Sequence, residues 1–241
     1  MAIPRDNHFL LLLFLLCLAV PLFSAEFWFK KPYQSWSADE TQRLLEESPW
    51  ATTLRLGGIR SVASSMDVPT GRSSKGEMET DPTISYTLQF RSAVPIRQAE
   101  VRSMQLGAHY DKMTNEQRAA FDANAAKFLA VTFPDRIIVA VTFHTNVGDY
   151  ESQLRNYWAS QSLAKLSMTV YLNTKRDRLS LMAYSFKDDT FQFTFPRPRQ
   201  IDPDEKISVE FVHPRTNAIG PQRILQEFSV KKMLVNGEPS I

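Results

Sequence analysis

The spacing of apolar residues changes several times along this chain, and each spacing predicts an element. In "SADETQRLLEESPWA", Ser37 and Glu40 stand in the S-x-x-E relation of a capping box, in which each side chain satisfies the other's backbone N–H. Asp39 suits the positive start of a helix, and Leu44 and Leu45 supply a buried stripe. Pro49 forces Ser48 out of helical geometry. The pattern predicts a helix over about 38–47, with "SP" as its stop and Trp50 as an anchor at the exit. "WATTLRLGG" then alternates through Thr52, Leu54 and Leu56 and reads as a strand. Residues 58–82 lose all periodicity and turn to Ser, Gly and charge, which predicts a long loop and the best internal boundary.

Regular spacing returns with "TISYTLQFRSA" (83–93), a strand. "VPIRQAEVRSMQLG" follows as a helix near 94–106, with Pro95 in its first turn and Gly107 just past its end. Thr114 and Gln117 form a second capping box. Phe121, Ala125, Phe128 and Leu129 then recur at i, i+4, i+7 and i+8, an amphipathic helix ending before Pro134. The continuous apolar run Ile137–Phe143 predicts a strand buried on both faces. Leu154, Tyr157 and Trp158 place a third core helix over 150–165. Beyond it "MTVYLNT" and "RLSLMAYSF" flank "KRD" as a hairpin, and "FQFTF", "KISVEFV" and "ILQEFSVKKMLV" add three alternating strands. The expected class is α+β, a mainly antiparallel sheet with about four helices concentrated in the N-terminal two thirds. The expected organisation is a signal at 1–24, an aromatic arm with capped helix and strand at 25–57, a loop at 58–82 and a core domain at 83–241.

The N-terminus departs from all these periods. Phe9–Val20 is an unbroken apolar run with Arg5 ahead of it and Pro21, Ser24 and Ala25 behind it, the layout of a secretory signal peptide. Cleavage after Ser24 is preferred, because cleavage after Ala25 puts the bulky Phe23 at −3. The alternative is an uncleaved anchor: Phe9–Ala25 has 17 residues, at the short end of a membrane span, with "FWFKK" as its interface belt. Lipidation of Cys17 fits poorly, since Leu16 precedes it where a small residue belongs. The expected location is therefore periplasmic or extracellular, or membrane-anchored.

Composition narrows the chemistry. The chain of 241 residues is 43% hydrophobic, and its net charge of +2 gives no basic footprint for nucleic acid. Cys17 is the only cysteine, so a cleaved chain has no disulfide, no thiolate nucleophile and no Cys-ligated zinc. Ser162-x-x-Lys165 has the spacing that sets a lysine one turn from a serine nucleophile, but the companion motifs S-D-N and K-T-G are absent. His144 with Asp149 and Glu151, or His109 with Asp111, offer metal-binding residue types without H-x-H or H-E-x-x-H spacing. Arg91, Arg97 and Arg102 gather at a strand–helix junction as an anion pocket or, with Glu100, as structural ion pairs. Arg197 and Arg199 read as a Pro-bent connection. The aromatic residues of 26–36 and Trp50 are either a satellite core or a binding surface. The candidate binding residues are Trp28, Trp36, Trp50 and Arg97. No residue is assigned to catalysis, to a cofactor or to a metal, and the enzyme reading is the weaker one.

Four groups of residues carry a resemblance in their shared order. They are Trp36-Ser37-x-x-Glu40 with Leu44-Leu45 and Ser48-Pro49-Trp50-Ala51; Phe90-x-Ser92-Ala93-x-Pro95-Ile96-Arg97-Gln98-Ala99-x-x-Arg102; Phe195-Pro196-Arg197; and Glu227-Phe228-x-Val230-Lys231-Lys232-Met233. In these the chain resembles a group of secreted bacterial proteins known mainly from Acidobacteria, some of which accompany or contain the domain called GWxTD. The resemblance implies export and a shared fold, and it carries no activity and no functional residues. The functional expectation is an exported envelope or extracellular binding module, with another envelope protein as the candidate partner. The alternatives are a secreted hydrolase using Ser162 and Lys165, or an anchored protein.

Overall fold

Residues 26–57, 82–217 and 219–241 are described by the structure, a computed structural model. The signal, the anchor alternative and the loop at 58–81 lie outside these residues. The chain divides into two units, one ending at Ser35 and one running from Trp36 to Ile241. The described part of the first holds a short helix α1 (Phe27–Lys30) and a 3-10 turn at Tyr33–Ser35. Its rings meet edge to face, Phe27 to Trp28 at 5.0 Å.

The second unit contains, in order, α2 (Ala38–Glu46), β1 (Ala51–Gly57), β2 (Thr83–Phe90), α3 (Val94–Gly107), α4 (Asn115–Ala130), β3 (Arg136–Thr145), α5 (Gly148–Ala159), α6 (Leu163–Leu166), β4 (Tyr171–Asn173), β5 (Arg178–Ser180), β6 (Ala183–Lys187), β7 (Thr190–Pro196), β8 (Lys206–His213), β9 (Gln222–Ser229), β10 (Leu234–Val235) and β11 (Glu238–Pro239). This is the α+β class that the pattern predicts. A five-stranded sheet has the order β1-β2-β3-β7-β6 and a four-stranded sheet the order β5-β4-β8-β9. Every pairing is antiparallel. The helix at 38–46 and the strand at 51–57 thus belong to the same unit as the sheets.

Both capping boxes form. Ser37 N–H donates to Glu40 Oε2 at 2.8 Å and Glu40 N–H to Ser37 Oγ at 3.2 Å; Thr114 and Gln117 repeat the exchange at 2.9 and 3.3 Å. After α2 the "SP" pair makes a tight turn. Ser48 N–H donates to the Ala51 carbonyl at 2.9 Å, and Trp50 is fully buried.

The core lies between the two sheets. Alternate residues of β2 (Ile84, Tyr86, Leu88, Phe90) and β7 (Phe191, Phe193, Phe195) are completely buried. They meet Phe211 of β8 and Phe228 of β9: Tyr86 lies 5.4 Å from Phe211 and Phe90 lies 4.9 Å from Phe228, ring to ring. Trp158 of α5 stacks on Phe191 at 3.9 Å and closes the cluster. Aromatic pairs of this kind add about 0.5–1.5 kcal/mol each beyond the area they bury.

The structure departs from the pattern in four places. "RLSLMAYSF" is not one strand: β5 and β6 lie in different sheets. Leu181 is buried and Met182 is exposed, while Met182 N–H reaches Thr194 O at 2.7 Å, so the run turns a corner of the two-sheet core. "ILQEFSVKKMLV" stops as a strand at Ser229, because Val230 and Met233 turn inward through a 3-10 segment. Asn236 and Gly237, both at positive φ (53° and 84°), then close the β10–β11 hairpin. The helix expected to 165 ends at Ala159, where the Ser160 hydroxyl and the Gln161 amide both donate to the Tyr157 carbonyl. Finally, α4 buries only Ala125 of its apolar stripe, and Phe128 stays 37% exposed.

One polar pair sits among the core rings. Tyr86 Oη and His213 Nδ1 are 2.7 Å apart and both residues are fully buried. His213 Nε2 has no hydrogen-bond partner among the described residues. Burial pushes the imidazole down from 6.5 to about 4 and raises the Tyr86 phenol, so both are neutral near pH 7. An unfolded chain takes up the His213 proton near 6.5, whereas the folded chain resists until about 4. The stability from keeping His213 neutral is complete above that upper value and is lost as pH falls through the window, by about 3 kcal/mol. Urea denaturation at pH 7.5 and 4.5 checks this: the wild type should lose stability between them, and His213→Asn should flatten the slope. An equally steep slope in His213→Asn contradicts it.

Candidate functional site

The same alternation that buries one face of the five-stranded sheet leaves the other mainly polar, with Ile138 and the buried Ala51 and Ala140 as its apolar members. Ser85, Thr87 and Gln89 of β2, Thr142 and His144 of β3, and Thr190, Gln192 and Thr194 of β7 lie on it. Thr53, Thr87, Thr142 and Thr190 are in register across β1, β2, β3 and β7. Thr53 and Thr87 hydroxyls are 2.9 Å apart, as are those of Thr142 and Thr190.

The helices border this face. The Gln89 side-chain amide donates to the Leu45 carbonyl of α2 at 2.7 Å. Beside it opens a groove of about 440 Å³. Gln89 and Thr142 line it from the sheet, Leu45 from α2, Glu100, Ser103 and Met104 from α3, and Phe128 from α4. A second hollow of about 420 Å³ continues between α2 and α3, sharing Leu45 and Ser103. A third, about 300 Å³, is lined by the Ser48-Pro49 turn and by β9, where Lys206 and Glu227 pair at 2.8 Å.

Charge in the main groove is paired. Arg91 Nε and Glu100 Oε1 are 2.7 Å apart but off the angle of a hydrogen bond, so the contact is Coulombic. Burial raises the Glu100 carboxyl, and the Arg91 and Arg97 guanidinium groups pull it back. Arg97 does not face the groove. Its Nη1 donates to the carbonyls of Phe128 (3.0 Å), Leu129 (3.2 Å) and Val131 (2.5 Å), and its guanidinium lies 5.3 Å from the Phe133 ring. These are carbonyls at the C-terminal end of α4, where a cation meets the negative helix dipole. Arg97 is 4% exposed; burial lowers its pKa and Glu100 opposes the shift. Arg102 Nε donates to the Trp36 carbonyl at 2.8 Å. Arg197 Nε donates to Phe133 O at 3.0 Å, and its Nη2 to Ile241 O. Three arginines thus fasten α3, α4 and the chain before α2 in place.

The residues singled out from the sequence fall in different surroundings. Trp36 and Trp50 are core, 1% and 0% exposed, and present no surface to a partner. Trp28 is half-buried in the first unit. Arg97 positions α4. Ser162 and Lys165 are exposed at the start of the four-residue α6, and the Lys165 amine donates to the Ser160 carbonyl at 3.3 Å. His144 and Asp149 are exposed, and Glu151 pairs with Arg155 at 2.9 Å. His109 is exposed at φ 50°. Among the described residues no group of three or more His, Cys, Asp or Glu is placed to hold a metal ion, and no helix is long and apolar enough to cross a membrane.

Glu100 pairs with an arginine of the cluster as its place in the sequence suggests, whereas Ser103, Met104, Gln89 and Thr142 were not singled out by the sequence pattern, nor was His213. Parity in "KISVEFVH" carries the one available signal for His213, which shares the inward side with Ile207, Val209 and Phe211. Comparison with protein-family models, with curated proteins and with solved structures finds no match.

Arg97→Met removes the donor from three carbonyls and should cost about 3 kcal/mol, with faster amide exchange over 115–131. Urea denaturation and exchange mass spectrometry read both. Unchanged stability means the arginine does not hold α4.

Proposed function

We propose that this chain is an exported protein that acts by binding a component of the cell envelope, in the groove where α2, α3 and α4 border the polar sheet face. The observation that carries this reading is the apolar lip of the groove: Met104 is 52% and Phe128 37% exposed, beside a polar floor and a paired charge. A helix that buries only Ala125 and leaves Phe128 exposed keeps apolar surface available for a partner. Export rests on the apolar run Phe9–Val20 and on the likeness to secreted bacterial proteins described above. A cleaved chain without cysteine suits an oxidising compartment.

The test is a native pull-down from the host's envelope fraction with C-terminally tagged protein, comparing wild type with Met104→Asp/Phe128→Ser. The double variant should retain its melting temperature and lose about tenfold of the captured component. Capture at the wild-type level by the variant places the binding surface elsewhere.

A further inference from the structure

Resting on that reading of the groove, we propose that its ligand is a neutral, hydroxyl-rich glycan chain laid across the strands along the threonine row. The row is Thr53, Thr87, Thr142 and Thr190, in register on four neighbouring strands. At the usual strand separation it is about 14 Å long, the reach of a short oligosaccharide. Thr142 belongs both to the row and to the groove, so the two are continuous.

The chemistry of the row selects the class. A threonine hydroxyl donates and accepts, so the Thr142–Thr190 pair at 2.9 Å consumes one proton and leaves a second donor and several lone pairs, while in the Thr53–Thr87 pair Thr53 also donates to the Glu46 carbonyl at 3.5 Å and only acceptor capacity remains. The parallel register row adds Gln89 and Gln192, whose amides are again two-sided. Sugar hydroxyls need partners of this kind. The four threonines and the flank formed by Ala51, Gln89, Ala140 and Gln192 are uncharged; the opposite flank carries Arg55 and His144, and Lys187 stands in register beyond Thr190, so charge borders the row without entering it. The threonines are half-buried rather than exposed, which makes them a recessed floor instead of an ordinary charged, solvated sheet face. Met104 and Phe128 at the lip offer apolar surface to the C–H face of a sugar ring.

An extended peptide is the poorer occupant. β2, β3 and β7 are inner strands whose backbone groups pair on both sides, so this face cannot accept an added strand. An anionic ligand is poorer too, because the arginine in the groove is already paired with Glu100.

The experiment uses affinity electrophoresis and calorimetry of the full mature chain with laminarin, xylan, dextran and polygalacturonate. Thr87→Val/Thr142→Val keeps the shape and strand preference but removes two hydroxyls. The expected result is retention by at least one neutral polysaccharide, little change with salt, and at least a tenfold loss in the valine variant at unchanged melting temperature. Retention by polygalacturonate alone, abolished by salt, overturns the neutral class. Equal binding by the valine variant overturns the row as the site. If no polysaccharide binds while the pull-down captures a protein sensitive to Met104→Asp/Phe128→Ser, the glycan proposal falls and the groove reading stands. If both fail, the groove reading falls with it.

Discussion

Every large ring of β2 and β7 lies on one side of the five-stranded sheet, and the packing of those rings against Trp158, Phe211 and Phe228 constrains everything else. Period-two alternation admits no compromise: a slip of one residue would bring Thr87, Thr142 and Thr190 into the core. Burying one face therefore fixes the opposite face as polar. The four-stranded sheet and α5 cover the ring side. α2 borders the polar side at Gln89, and α3 and α4 line the groove there with Gln89 and Thr142, so the groove lies on the wet face of the sheet.

Propensity does not hold those helices in place. α4 buries only Ala125, too little apolar area to fix a helix of 16 residues. Arg97 supplies the missing restraint by taking three carbonyls near the C-terminal end of α4, and Arg102 does the same for the chain entering α2. Burying a guanidinium is expensive unless its donors are satisfied, so such a contact is made in few geometries and specifies position more than it adds stability. Glu100 stands between Arg91 and Arg97 and balances both. The groove's shape thereby depends on charged residues, of which Arg91 and Glu100 line it and Arg97 lies behind it.

Much of the fold was legible because its signals are local. Ser37 with Glu40 and Thr114 with Gln117 are three residues apart, and both boxes form as their spacing predicts. Alternation located the strands. What stayed hidden depends on contacts far along the chain. Arg97 reaches carbonyls 31 to 34 positions away, which no window around it contains. "RLSLMAYSF" reads as one strand because nothing in its alternation records that Leu181 and Met182 cross between sheets. Trp36 and Trp50 illustrate a different limit: composition does not distinguish a ring that fills a core from one that meets a partner, and burial of 99% or more does. The groove residues were invisible for the same reason, since Leu45, Gln89, Met104, Phe128 and Thr142 come from five elements.

The central claim is that the core occupies one face of the five-stranded sheet and the working surface the other. The most direct test is amide hydrogen exchange of the chain, read peptide by peptide, with and without a soluble extract of the host cell. The account predicts that added protection concentrates in peptides covering 85–90, 100–106, 125–131 and 140–144, with β8 and β9 unchanged. Protection confined to β8 and β9, or to residues 26–35, would contradict it.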